Sequence, residues 1–349
     1  MRPPLRKTAA LPITSSRRED KIVNRRKLLS FALAAVAAAA LSPLGAIAQA
    51  QYPARPIRLV VPFAPGGVVD TIGRLWAQRV GPSLGTIVVD NRGGAGGVIG
   101  AGEVAHAQPD GYTLLLGNTS TQVLNPAAMS RPPYDPVKDF ITVDMIAISA
   151  TSIIVHPSLP ARNLKALIAY ARSNAGTLSY GSAGAGTVTH LAGEMFKQRG
   201  GGLDIVHVPY KGAGPGITDL VSGYIPMMTP NVTAQLLSLH QAGKVRILAV
   251  NAPRRLKAAP DIPTAVETLP DMIALVFSGV FVPAGTPKAI VDRISQVTRQ
   301  ALADAGFQNT LVQSGFEPVL DSSPEKAQRF VDQEHARLVP VIKASGFKL

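Results

Sequence analysis

The 349-residue chain contains no cysteine, which excludes disulfides, thiolate metal sites and a cysteine nucleophile. Aromatic residues are few, with one tryptophan, and acidic residues are scarce: 22 Asp+Glu face 35 Lys+Arg. A surplus of positive charge raises the question of a nucleic-acid partner, but its placement answers it. Residues 1–50 hold nine basic and two acidic side chains, while the remainder carries 26 and 20 and is only mildly basic. No nucleic-acid surface is required by such a body. With 46% hydrophobic residues the chain can bury a large core, so wholesale disorder is excluded as well.

Hydrophobic runs long enough to span a bilayer are also missing. The apolar run at 28–41 has fourteen residues, short of the roughly 17–25 that a spanning helix needs. Arg25, Arg26 and Lys27 precede it, Pro43 and Gly45 break it, and Ala46-Ile47-Ala48 and Ala48-Gln49-Ala50 supply small-residue exits. These are the three parts of a secretory signal, cleaved near Ala48 or Ala50. Arg25-Arg26 followed by Leu28-Leu29 also fits a twin-arginine signal, so both export routes stay open. The long polar segment at 1–22 is explained if translation starts near Val23. The expected organisation is a signal peptide at 1–50, a first lobe at 51–150 completed by 276–349, and a second lobe at 151–275. The expected location is the periplasm.

Strand-like runs alternate with helical periods through the mature chain. The run 57–62 reads as a buried strand, followed by a turn and a helix at 69–80 with Ile72, Leu75, Trp76 and Val80 on one face. Strands at 86–90 and 112–116 flank a helix near 99–107, and a second series of the same kind starts at 153. This order predicts α/β architecture: two lobes, each a doubly wound, mostly parallel sheet.

Two loops share one design, a strand ending in a glycine-rich turn that opens a helix: Phe63-Ala64-Pro65-Gly66-Gly67 and Ser182-Ala183-Gly184-Ala185-Gly186-Thr187. Glycine lets backbone N–H groups approach a ligand, and a helix N-terminus offers unpaired donors with partial positive charge. Each loop is a candidate anion cradle. No Arg or Lys lies within either, which favours a small carboxylate, amino acid or amide over a phosphate-rich ligand. The candidate ligand-binding residues are Phe63, Ala64, Pro65, Gly66, Gly67 and Asp70 in the first lobe and Ser182, Gly184, Gly186, Thr187 and His190 in the second. Asn118, Ser120 and Asn231 join them from strand ends. Asp70 complements the helix dipole; contact with a ligand ammonium is the alternative.

Other chemistries lack their signatures. Gly94, Gly96 and Gly100 miss the dinucleotide spacing by one residue, and no glycine loop is followed by Lys-Ser/Thr. There is no G-x-S-x-G and no H-E-x-x-H. His106, His156, His190, His207, His240 and His335 are scattered without metal-ligand spacing. His190 and Glu194, four apart, read as a surface or capping contact. No catalytic residue, metal or cofactor is expected.

Tyr52-Pro53 through Val61-Pro62-Phe63-Ala64-Pro65-Gly66-Gly67 and Asp70 resembles the opening of the Bug-type receptors, the extracytoplasmic solute-binding proteins of tripartite tricarboxylate transporters. The likeness continues through Asn91-Arg92, Gly94-Ala95-Gly96-Gly97, Pro109-Asp110-Gly111-Tyr112, Pro133-Tyr134-Asp135-Pro136, Tyr180-Gly181-Ser182, His190-Leu191, Val208-Pro209-Tyr210-Lys211-Gly212 and Pro283-Ala284-Gly285-Thr286-Pro287. It implies a type II Venus-flytrap fold without enzymatic activity, a small carboxylated solute held between the two loops with ordered waters, and two integral membrane subunits as partners. A monomer is expected. A sensory receptor serving a signalling partner and an exported enzyme are the alternatives. Departures from the family pattern at Gln122, Pro226, Thr229, Pro230 and Phe277 leave the solute's identity open.

Overall fold

The computed structural model describes residues 52–344, and the export signal expected at 1–50 lies outside them. Strand β1 (Ile57–Val61) leads to α1 (Val68–Leu84), β2 (Ile87–Asn91), α2 (Val98–Ala105) and β3 (Thr113–Asn118). The short helix α3 (Asn125–Ala128) precedes the long strand β4 (Phe140–Ala150), which runs on into β5 (Ser152–Val155). Then come α4 (Leu164–Ser173), β6 (Leu178–Ser182), α5 (Val188–Arg199), β7 (Ile205–Pro209), α6 (Ala213–Val221), β8 (Met227–Met228), α7 (Ala234–Gln241) and β9 (Arg246–Val250). The chain closes with β10 (Leu275–Pro283), α8 (Lys288–Ala303), α9 (Ala305–Gln313), β11 (Phe316–Pro318) and α10 (Pro324–Ala344).

Side chains start the helices where the sequence offers caps. Asn163 accepts from the Ala166 N–H at 2.9 Å, Thr187 from His190 at 3.2 Å and Thr233 from Leu236 at 3.2 Å. Each satisfies one of the donors that a helix leaves open at its start.

The strands form two sheets, ordered β11-β4-β10-β3-β1-β2 and β7-β6-β8-β5-β9. Within the first, β1 pairs in parallel with β2 and β3, whereas β10 runs antiparallel to β3 and β4, and β11 antiparallel to β4. In the second, β6 is parallel to β7 and β8, while β5 is antiparallel to β8 and β9. The sheets are thus mixed rather than mostly parallel. The reason is the crossings: β10 enters the first sheet from β9 of the second, and β5 enters the second from β4 of the first, so no βαβ crossover constrains their direction.

Alternation along β1 feeds two layers. Ile57, Leu59 and Val61 pack with Ile72, Trp76 and Val80 of α1 and Ile294 and Val297 of α8, while Val60 joins Val98, Ala101 and Phe281 on the other face. The buried Trp76 indole donates to Thr298 Oγ1 at 3.1 Å, leaving no unpaired polar atom in that layer's largest side chain. The second sheet repeats the scheme, with Ile153 and Val155 on the α4/α5 side and Ile154 on the α6/α7 side.

Where the chain passes between sheets it is bonded to itself. Thr151 N–H donates to the Ala274 carbonyl at 3.0 Å, Asn251 N–H to the Thr151 carbonyl at 2.8 Å, and the Asn251 amide to Thr151 Oγ1 at 2.8 Å. The two crossings therefore form one hydrogen-bonded hinge.

Gly193 on α5 lies against Tyr180: a Cβ there would stand 2.1 Å from the ring. Tyr180 is fully buried and cannot swing away. Gly193→Ala, ordinarily favourable in a helix, is expected to destabilise the protein by about 1–3 kcal/mol through overpacking. Urea unfolding checks this, and a variant as stable as the parent would contradict the packing described.

Candidate functional site

Two helices from different sheets begin at the same place. The starts of α1 (Gly67, Val68, Val69) and of α5 (Thr187, Val188, Thr189) line one cavity, together with Phe63, Asn118, Ser120, Ala183, Ala213, Asn231 and Val276. The first N–H groups of a helix have no intrahelical acceptor and carry the positive end of its dipole. Two such ends converging on one space form a field suited to a small anion. Among the described lining residues none is charged, so this field comes from backbone and neutral amides and hydroxyls.

The lobes are closed around this space. The cavity measures ≈ 20 Å³, where about 10–15 Å³ holds a single water. A solute of several carbons enters only with the lobes further apart. Backbone N–H groups donate across the closure: Ala64 N–H to the Lys211 carbonyl at 3.2 Å, and Val188 N–H at the start of α5 to the side-chain Ser120 Oγ at 3.1 Å. Glycines allow the approach. A Cβ on Gly214 would lie 2.1 Å from the Pro65 carbonyl oxygen, and one on Gly96 2.3 Å from that of Ala185.

The expected residues separate into two groups. Phe63, Gly67, Asn118, Ser120, Thr187 and Asn231 line the cavity. Ala64, Pro65, Gly66, Asp70, Ser182, Gly184, Gly186 and His190 stand behind it, and several of their donors already have partners. Gly66 N–H donates to Asp70 Oδ2 at 3.0 Å, Gly184 N–H to Ser182 Oγ at 3.1 Å and Gly186 N–H to His190 Nδ1 at 3.2 Å. The glycine loops are therefore braced internally, and at the start of α5 the Thr187, Val188 and His190 N–H groups are bonded as well, to the Gly184 carbonyl, Ser120 Oγ and Thr187 Oγ1. Val68, Val69, Ala183, Val188, Thr189, Ala213 and Val276 were not singled out from sequence. Thr189 was within reach, since it occupies the same first turn as Thr187; Ala213 and Val276 depend on how the lobes meet.

Asp70 is a brace. Its carboxylate accepts from Gly66, from Arg74 Nε at 3.0 Å and from Asn91 Nδ2 at 2.9 Å, and Asn91 also donates to the Phe63 carbonyl at 2.9 Å. Burial works to raise the Asp70 pKa, but the donors from Arg74, Gly66 and Asn91 outweigh it and hold the carboxyl below its usual value. A depressed carboxyl adds stability that is present above its unfolded pKa and lost as pH falls through the folded one.

The positions that depart from the resemblance have structural partners. Thr229 Oγ1 donates to the Thr189 carbonyl at 2.6 Å, and the Pro230 carbonyl accepts from Ser152 N–H at 2.8 Å. Phe277 faces away from the cavity, edge-on to Phe330 at 5.6 Å. Gln122 is fully buried next to Thr121.

Two α/β lobes joined by a bonded hinge and closed over an uncharged, largely apolar cavity with a few amides and hydroxyls define a two-lobed solute-binding fold. Comparison with known proteins agrees. Residues 72–347 match the model of the tripartite tricarboxylate transporter family receptor, TctC. The chain is 34% identical to BugT of Bordetella pertussis over 301 residues, 85% of this chain and 91% of that protein. Among solved structures it is similar to Rpa4515 of R. palustris with adipate, at 35% identity and TM-score 0.81, covering 85% of this chain and 99% of the other. It is likewise similar to MatC from Rhodopseudomonas palustris with bound malate, at 30% identity and TM-score 0.79, covering 83% and 100%. The chain belongs to the tripartite tricarboxylate transporter receptor family, whose solved members include periplasmic binding proteins.

If Asp70 braces the loop, Asp70→Asn lowers the stability of the solute-free protein by about 1.5–3 kcal/mol, the range for hydrogen bonds to a charged group. Thermal unfolding without solute measures it. An unchanged melting temperature would return Asp70 to the role of a ligand contact.

Proposed function

We propose that this protein is an extracytoplasmic receptor that captures a small carboxylate between its lobes and delivers it to the membrane subunits of a tripartite transporter. The observation that carries this reading is the convergence of the α1 and α5 N-termini on one cavity whose described walls are uncharged. Carboxylate oxygens are matched by the first-turn N–H groups, with Asn118, Ser120, Thr187 and Asn231 as the polar side chains at hand. Phe63, Val68, Val69, Val188 and Val276 suit the hydrocarbon part of such a solute. Adipate and malate in the related R. palustris proteins are of this class.

An ammonium group finds no counter-charge in this cavity, because Asp70 is occupied by Arg74, Asn91 and Gly66. Amino acids are therefore poor ligands, which narrows the class expected from sequence. The absence of titratable side chains from the described walls supports binding rather than acid–base catalysis. In this reading the lobes are 51–150 with 276–349 and 151–275, moving about the Thr151–Asn251–Ala274 hinge. A signal at 1–50 directs export and is then cleaved, and the receptor works as a monomer.

A thermal-shift panel tests the proposal. A dicarboxylate such as adipate or malate at about 100 times its Kd should add roughly 2.7 kcal/mol of stability, whereas aspartate and glutamate should add none. Stabilisation by amino acids alone would overturn the assignment.

A further inference from the structure

Two histidines seventeen positions apart meet behind the second-lobe loop. The rings of His190 on α5 and His207 on β7 stack in parallel, with centroids 3.8 Å apart and planes 6° from coincident. Tyr180 of β6 stacks on the outer face of His207 at 4.9 Å. Each histidine holds one end of the loop. His190 Nδ1 accepts the Gly186 N–H at 3.2 Å, and His207 Nε2 is 2.7 Å from Ser182 Oγ. A backbone N–H can only donate, so Nδ1 of His190 must be unprotonated and the ring neutral.

We propose that the His190–His207 stack is the positioning element of the 182–187 loop, and that the loop and its bound solute are released when the pair takes up a proton. A proton on His190 Nδ1 would face the Gly186 N–H donor to donor, and its charge would lie against the half-buried His207 ring. The neighbouring ionisable groups are Tyr180 on β6 and Glu194 and Lys197 on α5. Glu194 Oε1 lies 4.0 Å from His190 Nε2, but it is shared with the Tyr180 hydroxyl at 2.8 Å and Lys197 Nζ at 3.0 Å. Burial, the dominant effect, lowers both histidines to about 4; the neighbouring His190 adds to it for His207, and Glu194 opposes it in both. A histidine with a depressed folded pKa contributes stability that is complete above about 6.5 and is lost as pH falls toward about 4. The 182–187 loop, which brings Ala183 and Thr187 to the cavity, should therefore loosen in that window.

This inference rests on the capture reading for its effect on solute, and its test separates the two. Adipate affinity is measured by calorimetry from pH 7.5 to pH 4 for the parent, His190→Gln and His190→Phe. Taking the ratio of Kd values at each pH cancels the solute's own titration. The amide of glutamine can accept from Gly186 without titrating, whereas phenylalanine keeps only the stack. Relative to its own value at pH 7.5, the parent should lose about tenfold more affinity by pH 4 than His190→Gln. His190→Phe should bind at least tenfold more weakly than His190→Gln at pH 7.5. Identical profiles for parent and His190→Gln, or equal affinity of the Gln and Phe variants, overturn the proposal. If adipate binds none of the proteins, the capture reading fails for this probe, and Gly186 amide protection by hydrogen exchange decides the positioning role. Protection in the parent and His190→Gln at pH 7 that is lost in His190→Phe sustains it; equal protection in all three overturns it.

Discussion

The architecture depends on one electrostatic constraint: two helices from separate sheets must aim their N-terminal ends at a common space. Unpaired first-turn donors are tolerable facing water or an anion and costly facing each other. The chain resolves this by leaving a small uncharged cavity between α1 and α5 and by capping one donor across the gap, Val188 N–H to Ser120 Oγ. The same arrangement that closes the lobes keeps their contact surface in need of a negatively charged guest.

Around that constraint the rest is bracing. On one side Asp70 ties Gly66, Arg74 and Asn91 together, and Asn91 in turn holds the Phe63 carbonyl. On the other, Ser182, Thr187 and the two stacked histidines hold the loop between β6 and α5. Charged side chains stay one layer behind the cavity, where they shape backbone instead of meeting solute. Pre-set donors of this kind need little reordering when a ligand arrives.

Much of this was legible in the sequence, and the parts that were not have physical reasons. The run 57–62 followed by Ile72, Trp76 and Val80 at helical spacing is a local pattern, and it located β1 and α1. Asn163 before Leu164 is likewise a local pattern, a side-chain cap at the start of α4. Strand β4 is not among the strands read from sequence, because Asp144 interrupts its apolar run; in the structure that residue is fully buried and bonded to Ser295 Oγ at 2.7 Å. Gly66, Gly67, Gly184 and Gly186 read as room for a ligand, whereas Gly96 and Gly214, which carry no such reading, are room for the opposite lobe. No window of one loop can reveal that, since the other half of the contact lies some hundred residues away. The meeting of His190 with His207 was hidden for the same reason: it arises from α5 lying over β6 and β7.

The backbone-to-backbone nature of lobe closure also determines where this receptor can diverge. At Gly96 and Gly214 the missing Cβ is itself the interface, so any larger residue there disturbs closure whatever the solute. Asn118, Asn231 and Val276 reach the cavity as side chains from outside the two braced loops. Exchange at these three positions alters the shape and polarity offered to a guest while leaving the clasp intact. One scaffold can in this way serve many different nutrients.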